Sequence, residues 1–140
     1  MGRTLAAEGV RLDMIVSSSA VRARETCRIV LAPLGPEAVI TAELYMASPR
    51  EMLEVLREQG PDVDRMAMVG HNPGMHDFAV RLCGDGPPTE LRRLREKFPT
   101  GALAEIELRA RSWRDVGFGS GSLVRFLRPK DLEGAEELGL

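Results

Sequence analysis

Three short apolar runs, Met14-Ile15-Val16, Ala38 to Thr41 and Met66 to Val69, are each followed by a turn and then by apolar residues at helical spacing. Strand and helix taken alternately leave few solutions. The pattern predicts a three-layer α/β/α fold with a mostly parallel sheet covered on both faces. After the first run, Ser17, Ser18 and Ser19 are cap-forming residues, and Ala20, Ala23, Cys27, Val30, Leu31 and Leu34 mark a helix face closed by Pro33, Gly35 and Pro36. After the second, Ser48-Pro49-Arg50-Glu51 combines a capping box with proline at the first helical position, opening a helix that carries Met52, Leu53, Val55 and Leu56. After the third, Gly70 and His71 precede Asn72, which has an N-cap side chain, and Pro73, which suits the first helical position. Met75, Phe78, Ala79, Leu82 and Cys83 then recur at helical spacing up to Gly84.

The last third reads differently. Gly84 to Thr100 is polar, with a basic stretch Leu91-Arg92-Arg93-Leu94-Arg95. Ala102 to Leu108 and Gly121 to Leu127 read as strands, joined by a Gly- and Ser-containing segment in which Trp113 is the expected anchor. The simplest arrangement is an antiparallel pair added to the sheet. Residues 129–140 read as a polar tail, and 1–140 as one domain without repeats or linkers. Residues 1–9 look like the end of a helix stopped by Gly9, so the chain is expected to begin inside a structural unit.

A chain of 140 residues with 44% hydrophobic and 29% charged side chains can bury a core, and its net charge of -2 gives no basic footprint for nucleic acid or an anionic membrane surface. No apolar run approaches membrane-spanning length, and the first residues lack a signal-peptide core. Cys27 and Cys83 fall on predicted apolar faces without paired spacing, which points to buried thiols and a cytoplasmic protein. His71, His76 and Cys83 lack the spacing of a metal motif, so no metal or other cofactor is expected.

Two strand ends carry chemistry. Ligands of open α/β sheets bind beyond the carboxyl ends of the strands. His71 sits at one such end, before a helix whose N-terminus favours an anion, and Arg22 lies in the first helical turn after another. A guanidinium fork and an imidazole delivered together suit a phosphoryl group. The same residues also fit an ordinary strand–turn–helix with a hydrogen-bonded histidine. The serines are better read as caps than as a nucleophile, because no G-x-S-x-G is present. His76 and Asp77 read as an exposed pair in the helix's first turn, and Arg24 and Arg28 as a solvated face with Glu25 available for a pair. Glu43, in the loop after the second strand, could act as a general acid if burial raised its pKa.

Five segments together resemble the histidine phosphatase superfamily, of phosphoglycerate mutase-like fold, and within it the SixA-type phosphohistidine phosphatases. They are Val16 to Thr26, Glu43-Leu44-Tyr45, Val69 to Gly74, Phe98 to Ala104 and Leu123 to Leu132, in the family's order over almost the whole chain. The resemblance implies a histidine that attacks phosphorus and is released by water. A second histidine and two arginines stabilise the charge of the transferring oxygens. Carried over by motif, His71 matches the second histidine, Arg22 the second arginine and Glu43 the acid that some members place after the second strand; Asn72 joins them as a phosphate contact. The substrate implied is a phosphorylated protein, such as a histidine phosphotransfer domain, or alternatively a small phosphate ester.

The family's Arg-His-Gly or Arg-His-Ala element, which holds the nucleophile, has no match, since no Arg-His dipeptide occurs in the chain. The expectation is that the first strand, its loop and part of the first helix are absent, a unit on the order of thirty residues. The chain as written would then be inactive, or a non-catalytic phosphoryl-binding or protein-binding form of the fold. Its sheet would lack a partner strand and could drive self-association.

Overall fold

The computed structural model describes residues 1–131. Helix α1 (Gly2–Ala7) leads through Gly9, whose positive φ of 75° suits glycine, to strand β1 (Met14–Ser18). Then follow α2 (Val21–Thr26), β2 (Val39–Thr41), α3 (Pro49–Arg57), β3 (Met66–Val69), α4 (Gly74–Leu82), β4 (Cys83–Asp85), α5 (Pro88–Glu96), β5 (Leu103–Leu108) and β6 (Gly121–Leu127). Strand order is β2-β1-β3 in one sheet, with both pairs parallel, and β4-β6-β5 in the other, with β5 and β6 antiparallel. The alternating strand–helix pattern and the antiparallel C-terminal pair are therefore as expected. The pair is not hydrogen-bonded to the first sheet, however, because a cavity separates β3 from β5.

Local sequence explains most element boundaries. Ser48 Oγ accepts the Glu51 backbone N–H at 3.2 Å and Glu51 Oε1 accepts that of Ser48 at 3.0 Å, which completes the capping box, with Pro49 opening α3. The expected helix over residues 20–34 is more broken than its spacing suggests. It stays α-helical to Thr26, widens to a π turn over Cys27–Leu31 and tightens to a 3-10 turn over Ala32–Leu34. Pro33 has no N–H to give to the Ile29 carbonyl, which a continuing α-helix would need. The polar stretch over residues 84–100, to which the pattern assigns no element, contains the end of β4 and the whole of α5. Leu91 and Leu94 are buried beneath the basic side chains of α5, and Cys83 joins β4 rather than ending a helix.

Three apolar clusters fill the layers. Leu5, Ile15, Cys27, Leu31 and Leu34 form one face of the first sheet. Met52, Leu53, Leu56, Phe78 and Leu82 belong to the opposite face, and Leu94, Leu123 and Phe126 pack beneath α5. Both cysteines are buried free thiols. Trp113 anchors its loop as expected, by donating Nε1–H to the Val63 carbonyl at 2.7 Å. The polar tail expected at residues 129–140 lies, beyond Asp131, outside the described residues.

Arg125 on β6 ties the two halves together, donating to Glu8 at 2.7 Å and to Glu105 on β5 at 2.9 Å. The Arg125 hydrogen bond holds the Glu8 carboxyl below its ordinary value of 4.5. A depressed carboxylate contributes stability above its unfolded pKa and loses it as pH falls through the folded one. The protection factors of α1 amides, taken relative to intrinsic exchange at each pH, are therefore expected to be lower at pH 3 than at pH 6. Glu8→Gln should abolish that difference, whereas an unchanged difference would remove the ion pair as its cause.

Candidate functional site

The carboxyl ends of β1 and β3 lie side by side, with Ser17 paired in register to Val69. One residue further along each strand, Ser18 meets the turn that carries His71. Ser18 is fully buried, and its Oγ is hydrogen-bonded to His71 Nε2 at 2.8 Å, the direction set by the imidazole tautomer. The same Oγ accepts the Ala20 backbone N–H at 3.3 Å. Ser18 thus fixes the imidazole from below and shapes the entry to α2. None of the serines caps α2, as the sequence suggested: its N-cap is Ala20, with no side-chain cap bond. The competing partner was His71, more than fifty residues away in sequence and invisible to local pattern.

The His71 turn is held from three sides. Tyr45 places its ring edge-on to His71, with centroids 6.0 Å apart. The Met52 side chain packs beneath Gly70 and Gly74. A β-carbon on Gly74 would overlap the carbonyl oxygen of Ala47, so the close approach of this loop to the turn requires glycine there. Helix α4 begins at Gly74 with Pro73 as its N-cap, not with Asn72. Asn72 lies outside the helix, where its Nδ2–H donates to the Phe98 carbonyl at 2.7 Å and ties the turn to the segment after α5. The Asn72–Pro73 peptide is cis.

Arg22 lies in the first turn of α2 with an exposed side chain, and it lines the same cavity as His71, Asn72, Phe98 and Thr100. Its guanidinium makes no hydrogen bond or ion pair among the described residues. A half-buried imidazole and a solvent-facing guanidinium border one space. That combination can hold a tetrahedral oxyanion. Glu43 is exposed in the 3-10 turn Ala42–Leu44 and does not line this cavity. Its backbone N–H donates to Thr41 Oγ1 at 3.1 Å.

The chain's other histidine lies elsewhere. His76 is not an exposed partner of Asp77. It is half-buried, with Nε2 at 2.5 Å from the Leu94 carbonyl and its ring 6.2 Å from that of Phe98. The packing of α5, unexpected from sequence, supplies the Leu94 contact, and the segment after it supplies Phe98. Arg28 and Glu25 do form the solvated pair, at 2.8 Å. Among the described residues no cluster of His, Cys, Asp and Glu could hold a metal ion, and no helix is long and apolar enough to cross a membrane.

Ser18 is the site residue that sequence reasoning missed. Removing its hydroxyl by Ser18→Ala frees the imidazole at a cost of about 1 kcal/mol, typical of one hydrogen bond. Oxyanion affinity, read by calorimetry, is expected to fall roughly fivefold by the same energy. An unchanged affinity would show that Ser18 does not position His71.

No protein-family model matches the chain. It is 34% identical over 125 residues to the uncharacterized protein Rv1276c of Mycobacterium tuberculosis, covering 85% of this chain and 75% of that one. With ML1117 of Mycobacterium leprae the identity is 30% over 122 residues, covering 85% and 73%. Among solved structures, a candidate phosphohistidine phosphatase SixA from Agrobacterium tumefaciens superposes with a TM-score of 0.72 at 28% identity, covering 91% of this chain and 75% of that one. A second, from Nakamurella multipartitia, gives 0.76 at 22% identity, covering 91% and 77%. The protein histidine phosphatase SixA complexed with tungstate gives 0.71 at 20%, covering 94% and 78%. The chain therefore belongs to one family with the mycobacterial proteins Rv1276c and ML1117, and it has the fold of the SixA phosphohistidine phosphatases of the histidine phosphatase superfamily.

Proposed function

We propose that these residues form the phosphoryl-binding half of a phosphohistidine phosphatase site, with His71 and Arg22 as the groups that hold the transferring oxygens. The observation that carries this reading is the pair Ser18–His71, hydrogen-bonded at 2.8 Å at the ends of two adjacent parallel strands, with His71 lining the cavity that Arg22 also lines. A similar fold has been solved with tungstate, a tetrahedral oxyanion.

In the complete reaction an attacking imidazole forms a bond to phosphorus as the substrate's P–N bond breaks, and the leaving imidazole takes up a proton. Water then attacks the enzyme-bound phosphoryl group and releases phosphate. His71 and Arg22 stabilise the charge spread over the equatorial oxygens in both steps. Glu43, in the turn after β2, is the proposed proton donor. The attacking imidazole is not in this chain. Of its two histidines, His71 binds the oxyanion and His76 is engaged with Leu94 and Phe98. The 140 residues accordingly bind phosphoryl groups without turning them over.

A protein is the better substrate than a small ester. Exposed apolar side chains flank the site, with Tyr45 beside His71, Met46 next to it and Val21 preceding Arg22. Met46 has φ of 53°, a conformation uncommon outside glycine, and is 69% exposed. A compact phosphate ester gains nothing from such a rim; a phosphorylated protein can cover it.

The test is a titration with tungstate and with orthophosphate, followed by imidazole NMR. The expected result is a saturable shift at His71 that Arg22→Ala weakens, while His76 stays unmoved, with no hydrolysis of a phosphohistidine protein. Absence of a shift at His71 would end the reading.

A further inference from the structure

The basic stretch Leu91-Arg92-Arg93-Leu94-Arg95 takes no part in the phosphoryl site itself, yet it forms much of α5. Leu91 and Leu94 turn inward, which leaves Arg92, Arg93 and Arg95 exposed, with Lys97 just past the helix end also exposed. None of these four cations makes a hydrogen bond or an ion pair among the described residues. The acids that could neutralise them are engaged elsewhere. Glu90 accepts the Phe126 N–H at 3.0 Å, and Asp131, whose charge Arg93 feels, binds Arg128 through hydrogen bonds of 2.8 and 2.9 Å. Glu96 is the helix's remaining acid. The dipole of a helix favours cations in its last turn, but it gives no reason for Arg92, which lies a turn earlier.

This face stands at the mouth of the site. The last turn of α5 packs on the first turn of α4, where the Leu94 carbonyl meets His76 Nε2. The chain leaving α5 then supplies the Phe98 carbonyl that holds Asn72, the neighbour of His71, and Thr100, which lines the cavity shared by His71 and Arg22. Tyr45, which follows β2, reaches His71 from the first sheet instead. The imidazole thus lies between an apolar rim and a cationic one.

We propose that the exposed face of α5, through Arg92, Arg93 and Lys97, docks an acidic segment of the phosphorylated protein whose phosphoryl group enters the His71–Arg22 site. The proposal rests on the reading of that site as one for a phosphoprotein, and it adds the surface that recognises the partner. Unpaired cations beside an oxyanion site attract carboxylates that flank the phosphoryl group, speed encounter and fix the partner's orientation. Other polyanions fit this face less well. A membrane-binding helix offers apolar side chains for insertion, and those of α5, Leu91 and Leu94, are buried. A nucleic acid would meet a chain of net charge -2 and a helix without an aromatic residue on which to stack its bases.

The test uses the whole 140-residue chain. Its probes are tungstate, a Glu-rich peptide bearing phosphoryl-triazolylalanine (a stable mimic of phosphohistidine), and the same peptide with Gln for every Glu. At low salt the acidic peptide is expected to bind at least tenfold tighter than the neutral one. Near 1 M salt, where screening shortens to about 3 Å, the advantage should vanish. Combining Arg92→Glu, Arg93→Glu and Lys97→Glu should abolish it while leaving tungstate and the neutral peptide within twofold. The matched control combines Arg11→Glu, Arg111→Glu and Arg114→Glu. These exposed cations lie towards the other end of the strands, Arg11 before β1 and the other two beside Trp113, which bonds the Val63 carbonyl ahead of β3. The control should keep the advantage; equal losses in both triple variants would reduce the effect to overall charge and overturn the proposal. So would an acidic peptide that binds no better than the neutral one, or tighter binding of single-stranded DNA or phosphatidylserine vesicles through the same three residues. Binding of the acidic peptide only after Glu133, Glu136 and Glu137 are replaced by Gln would also overturn it, because the chain's own carboxylates would then cover the face. The two ideas fail differently: tungstate binding without a preference for acid removes the docking face alone, whereas no tungstate binding removes the site.

Discussion

Replacing His71 by alanine is expected to lower tungstate or orthophosphate affinity by roughly 10- to 100-fold, the loss of one charge-assisted hydrogen bond worth about 1.5–3 kcal/mol. The effect is large because nothing nearby can substitute for it. His76 is held away by Leu94 and Phe98, and the Asn72 amide is engaged with the Phe98 carbonyl. The fold should survive, since the imidazole is half-buried and no core cluster depends on it. Ser18 loses a partner in this variant, but its hydroxyl keeps the Ala20 N–H. Calorimetric titration of His71→Ala beside His76→Ala checks the assignment. Equal affinity for the two variants would mean that His71 is not the oxyanion's ligand.

Met52→Ala should produce the largest loss of stability, about 2–5 kcal/mol, the cost of truncating a large buried side chain in a close-packed core. That corresponds to a thermal midpoint lower by roughly 10 °C. Met52 is completely buried and packs in the cluster with Leu44, Leu53 and Phe78. Its terminal methyl also lies 3.2 Å and 3.7 Å from the points where side chains on Gly74 and Gly70 would begin. The methionine therefore fills the floor of the His71 turn as well as the core. Met52→Ala should weaken oxyanion binding in addition to stability, whereas Met52→Leu, which nearly conserves volume, should cost under about 1.5 kcal/mol. Denaturation and tungstate titration of both variants separate the effects. An alanine variant that binds normally while folded would show that the turn does not rest on this side chain.

Much of this was legible in the sequence because it rests on short-range rules. Periodicity located β1, β3, α3 and the β5–β6 pair, and the Ser48–Glu51 box fixed its own helix start, because each depends on residues within one or two turns. His71 and Arg22 could be placed at strand and helix ends, and so on one edge of a parallel sheet. Contacts between distant segments were not legible. Asn72 looked like a cap until the Phe98 carbonyl took its amide, and Ser18 looked like one until His71 arrived beside it. His76 looked solvated because α5, which buries it, was concealed in a stretch whose charge outweighed two buried leucines. Sequence thus determined the elements and which chemical groups stand at their ends. Tertiary packing decided which of those groups meet. The physical reason is that side-chain hydrogen bonds and close packing go to whichever partner is nearest in space, and nearness across fifty residues is set by the fold as a whole.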